Sequence, residues 1–146
     1  MYPIRFDCLT KTAKKPERQH NSDVGYDIYS DVYTSIPPGT QAGIQTGITM
    51  QIPVGIAGLI LPRSGLAAKY DITVQNSPGL IDPGYRGEII VLLRNEGTEP
   101  FIVEQGMRIA QMVFMNYLDV VWIRDERMQD NVSGDRGANG FGSTGV

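Results

Sequence analysis

Ile44-Gln45-Thr46-Gly47-Ile48-Thr49-Met50-Gln51-Ile52 sets Ile44, Ile48, Met50 and Ile52 against Gln45, Gly47, Thr49 and Gln51. A period of two places the apolar set on one face of an extended chain and the polar set on the other, so the stretch reads as half-buried strand. The same alternation opens the chain, where Tyr2, Ile4, Phe6 and Cys8 stand against Pro3, Arg5 and Asp7. Short apolar runs, many β-branched, follow at Val54 to Leu61, Ile72 to Val74, Ile89 to Leu93, Phe101 to Val103, Ile109 to Met115 and Val120 to Ile123. These predict further strands.

Between the runs, Pro38-Gly39, Pro78-Gly79 and Pro83-Gly84 each offer Pro and Gly for the two central places of a type II turn. Gly (17) and Pro (9) make up about 18% of the 146 residues against about 12% on average, an excess that turns partly explain. Only Ser64 to Lys69 has a helix signature, with Ser64 as N-cap. Many short strands and one short helix predict an all-β sandwich, jelly roll or barrel. The length fits one domain. Residues 1–127 are expected to form a β-rich core, and 128–146, which lack apolar periodicity, a flexible Gly-rich arm of the same domain.

Thirteen basic and sixteen acidic residues give a net charge of −3, which argues against a polynucleotide partner. One Cys and one His are too few for an internal disulfide or a tetrahedral zinc site. No 18-residue apolar run and no signal-peptide pattern occurs, so a cytoplasmic location and no membrane partner are expected. His20 reads as a loop residue and Cys8 as a core residue.

Five segments could carry chemistry. Arg63-Ser64-Gly65 combines a guanidinium fork, a hydroxyl and backbone N–H groups at a helix start; it is a phosphate cradle or an ordinary cap. Asp82, between Ile81 and the Pro83-Gly84 turn, is a turn residue or a base, with Tyr85 as platform or gate. Arg136 to Gly145 offers a guanidinium, glycines that admit phosphate, the hydroxyls of Ser143 and Thr144, and Phe141 to stack on a base. It is a clasp or a plain Gly-rich tail. Asp27 in Gly25-Tyr26-Asp27-Ile28 points away from Tyr26 and Ile28, to be solvated or to orient metal-bound water. Gln111 interrupts the apolar run from Ile109 and by pattern faces solvent.

Taken in order, these segments resemble the five motifs of the homotrimeric dUTPase family. Gly25-Tyr26-Asp27 with Tyr29-Ser30 is similar to the first motif, Arg63-Ser64-Gly65-Leu66-Ala67 to the second, and Gly79-Leu80-Ile81-Asp82 with Tyr85-Arg86-Gly87 to the third. Arg108-Ile109-Ala110-Gln111 is similar to the fourth, and Arg136-Gly137 with Gly140-Phe141-Gly142-Ser143-Thr144-Gly145 to the fifth. The match runs from Ser22 to Gly145.

The resemblance implies a distorted jelly-roll subunit, a homotrimer with active sites built from more than one chain, and hydrolysis of dUTP to dUMP and pyrophosphate. Asp82 would activate the water that attacks the α-phosphorus, aided by Mg2+ held mainly by the triphosphate. Arg63, Ser64, Gly65, Gln111, Arg136, Gly142, Ser143 and Thr144 would contact phosphates, with Asp27 acting indirectly through metal-bound water. The hairpin from Gly79 through Ile81 to Ile90 would read uracil, Tyr85 would exclude a 2′-hydroxyl, Asn76 would contact substrate or order water, and Phe141 would stack on the base. Gly84 and Asn139 depart from the family pattern and leave these roles intact. The competing readings are a dUTP-binding sensor and the related dCTP deaminase.

Overall fold

Arg108–Asn116 is the longest strand and organises the main sheet. The computed structural model describes residues 2–127. In chain order the elements are β1 (Arg5–Cys8), β2 (Tyr26–Tyr29), β3 (Thr34–Ile36), β4 (Gln41–Gln45), β5 (Ile48–Gln51), β6 (Ile56–Leu61), α1 (Ser64–Tyr70), β7 (Ile72–Val74), β8 (Gly79–Ile81), β9 (Ile90–Asn95), β10 (Phe101–Val103) and β11 (Arg108–Asn116). They form antiparallel sheets ordered β2-β11-β6-β8, β4-β9-β7, β1-β5 and β10-β3. This is the expected all-β, distorted jelly-roll architecture with one short helix.

Ile28, Ile36, Ile44, Ile72, Val91, Leu93, Ile109 and Met112 meet in the core. Burying an aliphatic side chain of this size contributes about 1.5–3 kcal/mol. Among the buried polar residues, Asn95 is the most deeply set: it donates from Nδ2 to the Ile36 and Glu99 carbonyls and accepts the Gly97 N–H at Oδ1. Its full satisfaction is what makes complete burial tolerable.

The stretch Ile44 to Ile52 is two strands instead of one. The chain breaks at Gly47, whose φ is +66° and where an added Cβ would stand 2.7 Å from that of Ala13. There it leaves the β4-β9-β7 sheet and enters the pairing with β1. At the N-terminus, all of β1 is exposed, Cys8 included, so Cys8 is not a core residue. Tyr2, Ile4 and Phe6 instead line an open groove of about 910 Å³ with Met50, Ile56 and Phe114. Val120 to Ile123 forms no strand and stands fully exposed, Trp122 at 92%.

The turns separate by type. Thr40 N–H bonds the Pro37 carbonyl at 3.2 Å around Pro38 and Gly39, and the φ of +69° at Gly39 fits type II. Tyr85 N–H bonds the Asp82 carbonyl at 3.1 Å around Pro83-Gly84, but Gly84 keeps a negative φ, as in a type I turn. Pro78-Gly79 makes no type II turn: the Ser77–Pro78 bond is cis and Gly79 begins β8. The helix starts one residue earlier than expected, with Arg63 as N-cap and Ser64 as its first residue.

Candidate active site

Strand β6 delivers the chain through Pro62 to Arg63, which is still extended, with φ −89° and ψ 127°. The Arg63 carbonyl accepts the Leu66 and Ala67 N–H groups and so opens the helix. No side chain caps this end, which leaves Ser64 and the half-buried Arg63 guanidinium for other partners. Arg63 Nε donates to Asp27 Oδ1 at 3.1 Å, and its Nη1 donates to the Arg108 carbonyl at 3.2 Å. Arg108 Nη1 donates to the other oxygen, Asp27 Oδ2, at 3.2 Å. Asp27 is therefore neither solvated nor free; its side chain is 12% exposed and lies between two guanidiniums.

Gln111 stands opposite Asp27 in the β2–β11 register. It does not simply face solvent, because its Nε2 donates to the Pro62 carbonyl at 2.9 Å. Its Oε1 occupies the space that a Cβ on Gly25 would need. Asp27, Arg63, Ser64, Gly65, Arg108 and Gln111 line an open cavity of about 480 Å³, together with Gln19, His20, Asp23, Val24 and Gly25. A Cβ on Gly65 would meet nothing within 4 Å, so this part of the helix start is open. Opposed guanidiniums, an amide and a hydroxyl around one space make a site for an anion rich in oxygen.

Arg108 was named from sequence only within the fourth motif, with no role of its own, and Gln19, His20 and Asp23 were given no site role. The register explains the first. A β-bulge lies between Arg108 and Ala110, so Arg108 pairs with Tyr29, two residues from Asp27 and on the same face. Spacing along an unbroken strand would instead put Arg108 and Gln111 on opposite faces.

The second group of expected residues surrounds the hairpin after β8. Asp82 is exposed at its entry. The Tyr85 hydroxyl donates to the Glu88 carbonyl at 2.7 Å, and Arg86 Nη1 donates to the Pro83 and Tyr85 carbonyls. Gly47 N–H and Gln45 Nε2 bind the Glu88 carboxylate, which ties the hairpin to the chain break described above. Gly79 is buried beside Asn76, Ile81 is half-buried, and the exposed Ile90 leans on Gly43.

These two groups are not brought together within one chain. Asp27 aligns with Gln111 and Leu61, whereas Ile81 aligns with Gly58, three residues further along β6 and three strands across the sheet. Strand spacings make that about 17 Å from Asp27 to Ile81. Arg136, Phe141, Gly142, Ser143 and Thr144 lie outside the described residues.

Among the described residues no cluster of three His, Cys, Asp or Glu could hold a metal ion. Each Asp27 oxygen accepts one hydrogen bond from an arginine and keeps a further lone pair with which it could accept from a metal-bound water. No helix among these residues is long and apolar enough to cross a membrane.

The model of the family described as dUTPase matches residues 11–145. The deoxyuridine 5′-triphosphate nucleotidohydrolase of Clostridium acetobutylicum is 44% identical over 146 residues, covering 100% of this chain and 99% of the relative. That of Crocosphaera subtropica is 46% identical over 143 residues, covering 98% and 99%. Among solved structures, a mutant dUTPase of Staphylococcus bacteriophage 80alpha with dUpNHpp superposes with a TM-score of 0.87 at 28% identity, covering 100% of both chains. With the ordered motifs, the jelly-roll core and these full-length similarities in agreement, the chain belongs to the dUTPase family.

Proposed function

We propose that this protein hydrolyses dUTP to dUMP and pyrophosphate. The observation that carries the reading is the cavity in which Arg63, Ser64, Arg108 and Gln111 converge, in a chain related over its whole length to nucleotidohydrolases of that name. The phosphate chain lies in this cavity, where guanidinium forks match its oxygens.

Asp82 takes a proton from water, whose oxygen attacks the α-phosphorus. The bond from that phosphorus to the α,β-bridging oxygen breaks, and pyrophosphate leaves with the electron pair. Charge developing on the phosphates is stabilised by Arg63, Ser64, Gly65 and Gln111. A Mg2+ held mainly by the substrate phosphates would supply further neutralisation when bound. Backbone groups between Gly79 and Ile90 read the uracil edge, where cytosine would present donor against donor. Tyr85 sits under the deoxyribose, and Asn76 orders the approach beside Gly79.

The separation of Asp82 from Arg63 supports a site assembled from two copies, as a homotrimer provides. The open groove beside β1 and the bare apolar segment Leu118 to Ile123 also suit a neighbouring chain. Residues 128–146 then serve as an arm, with Arg136, Gly142, Ser143 and Thr144 on phosphates and Phe141 on the base. Free nucleotide as substrate fits a cytoplasmic location.

The test incubates the protein and Mg2+ with dUTP, dCTP, dTTP or UTP and measures pyrophosphate and ammonia. Pyrophosphate from dUTP alone is expected, ammonia from dCTP would identify a deaminase, and dUTP binding without product a sensor. Asp82→Asn should keep dUTP binding while turnover falls by roughly 10²–10⁴. Near-normal turnover would remove Asp82 from the role of base.

A further inference from the structure

We infer that Glu88 is a positioning residue that sets the sugar preference of the site by holding the acceptor of the Tyr85 hydroxyl. The inference rests on the proposed function, in which Tyr85 sits under the deoxyribose. Tyr85 is 43% exposed, and a ring so open to solvent needs an outside hold to keep one orientation. Among the described residues its hydroxyl has one partner, the Glu88 carbonyl, to which it donates at 2.7 Å. The backbone around that carbonyl is held from both sides. On one side Ile89 N–H donates to the Ile48 carbonyl at 2.8 Å, and the Ile89 carbonyl accepts the Thr46 hydroxyl at 2.6 Å. On the other the half-buried Glu88 side chain reaches back to the chain break, where Oε1 accepts the Gly47 N–H at 2.8 Å and Oε2 accepts Gln45 Nε2 at 3.4 Å.

Gly47 makes this a fixed anchor. It is buried, and it stands with φ +66° where the chain passes from one sheet to another, so its N–H goes to the carboxylate instead of a strand partner. A buried donor must be satisfied, which keeps the Glu88 side chain in place. Gly47 has no room to yield either: an added Cβ would meet Ala13 Cβ at 2.7 Å and Asp31 Oδ2 at 2.8 Å. Reach matters here more than charge, because both groups that donate to Glu88 are neutral amides. Gln at this position keeps an acceptor at the same length, and the exposed Gln45 can turn its amide to match. Asp keeps the charge but ends about 1.5 Å short of Gly47. A ring held in one place excludes a 2′-hydroxyl; a ring whose acceptor moves gives way to it.

The test uses the full chain with Mg2+ and takes two readings: the kcat/KM ratio of UTP to dUTP from pyrophosphate release, and the ratio of dUMP to UMP affinity from calorimetry. The proteins are the wild type, Glu88→Gln, Glu88→Asp, Glu88→Ala, Tyr85→Phe, and Glu88→Asp combined with Tyr85→Phe, each checked for folding by a thermal melt. Glu88→Asp and Glu88→Ala are expected to raise the UTP to dUTP ratio by about fivefold or more and to narrow the preference for dUMP by a similar factor. Glu88→Gln should stay within about twofold of wild type in both readings. Tyr85→Phe should raise the ratio too, and adding Glu88→Asp to it should change it by no more than about twofold, because both act through one hydrogen bond. Unchanged ratios in Glu88→Asp overturn the inference, as do effects that multiply fully in the double variant. A ratio that moves in Glu88→Gln but not in Glu88→Asp would assign the role to charge and overturn it as well. If Glu88→Ala does not fold, Glu88→Asp decides. A wild type whose preference for dUMP is lost in Glu88→Asp, but which releases no pyrophosphate from dUTP, would sink the proposed function and leave the role of Glu88 standing. A wild type that binds neither monophosphate overturns both.

Discussion

The Tyr85 ring lies directly over Gly87: a Cβ on Gly87 would stand 2.7 Å from Tyr85 Cζ, while the Tyr85 hydroxyl bonds the Glu88 carbonyl at 2.7 Å. Tyr85 is thereby pressed into one orientation by a residue that must have no side chain. Gly87→Ala is expected to keep the fold and to displace the ring from the place proposed for the sugar. The kcat/KM ratio of UTP to dUTP should rise by about tenfold, measured by pyrophosphate release. An unchanged ratio would mean that Tyr85 does not set the sugar preference.

Gly25 and Gln111 stand in a similar relation on the phosphate side. A methyl group at Gly25 would land on the Gln111 amide and push it away from the Pro62 carbonyl. Gly25→Ala should raise the KM for dUTP by about tenfold with a thermal midpoint within a few degrees of wild type. A large loss of stability with unchanged KM would assign Gly25 to packing instead.

Asn95 holds three backbone groups inside the core. Asn95→Ala leaves all three without partners, which costs about 2–4 kcal/mol, read from urea unfolding at one fixed protein concentration.

Asp23 lines the cavity and accepts the His20 backbone N–H at 2.9 Å, with the His20 ring at 3.1 Å. The backbone bond, more than the ring, holds its carboxyl below the ordinary 3.8. A lowered folded pKa stabilises the fold above the unfolded value, and the contribution disappears as pH falls through the folded value. The difference in unfolding midpoint between wild type and Asp23→Ala should therefore be present near about pH 6 and vanish by about pH 2. A difference that grows on acidification would contradict this sign.

Much of the strand content was legible because period two survives wherever one face is buried. β10 matches the run Phe101 to Val103 throughout, and β7 the run Ile72 to Val74. The break at Gly47 was not legible, because it arises from contacts with Ala13 and Glu88, which are distant in sequence. Alternation in β1 misled on burial: its apolar side faces an open groove and not the core of the same chain. Within the site, Arg63 and Gln111 were legible through their motifs. Arg108 stands in the same motif as Gln111, but its place on the Asp27 face was hidden by a bulge, which shifts the face of a residue without leaving a mark in composition.

The distance of about 17 Å between Asp27 and Ile81 reaches beyond the single molecule to how defects combine in a mixed population. If each working centre takes its arginine half from one copy and its Asp82 from another, two inactive versions can rescue each other. Subunits carrying Arg63→Met and subunits carrying Asp82→Asn, unfolded and reassembled together in equal amounts, would form one fully equipped centre in about four by chance. Activity should return to about a quarter of wild type, whereas either version alone stays silent. In a cell making both, the lesions would complement each other instead of adding.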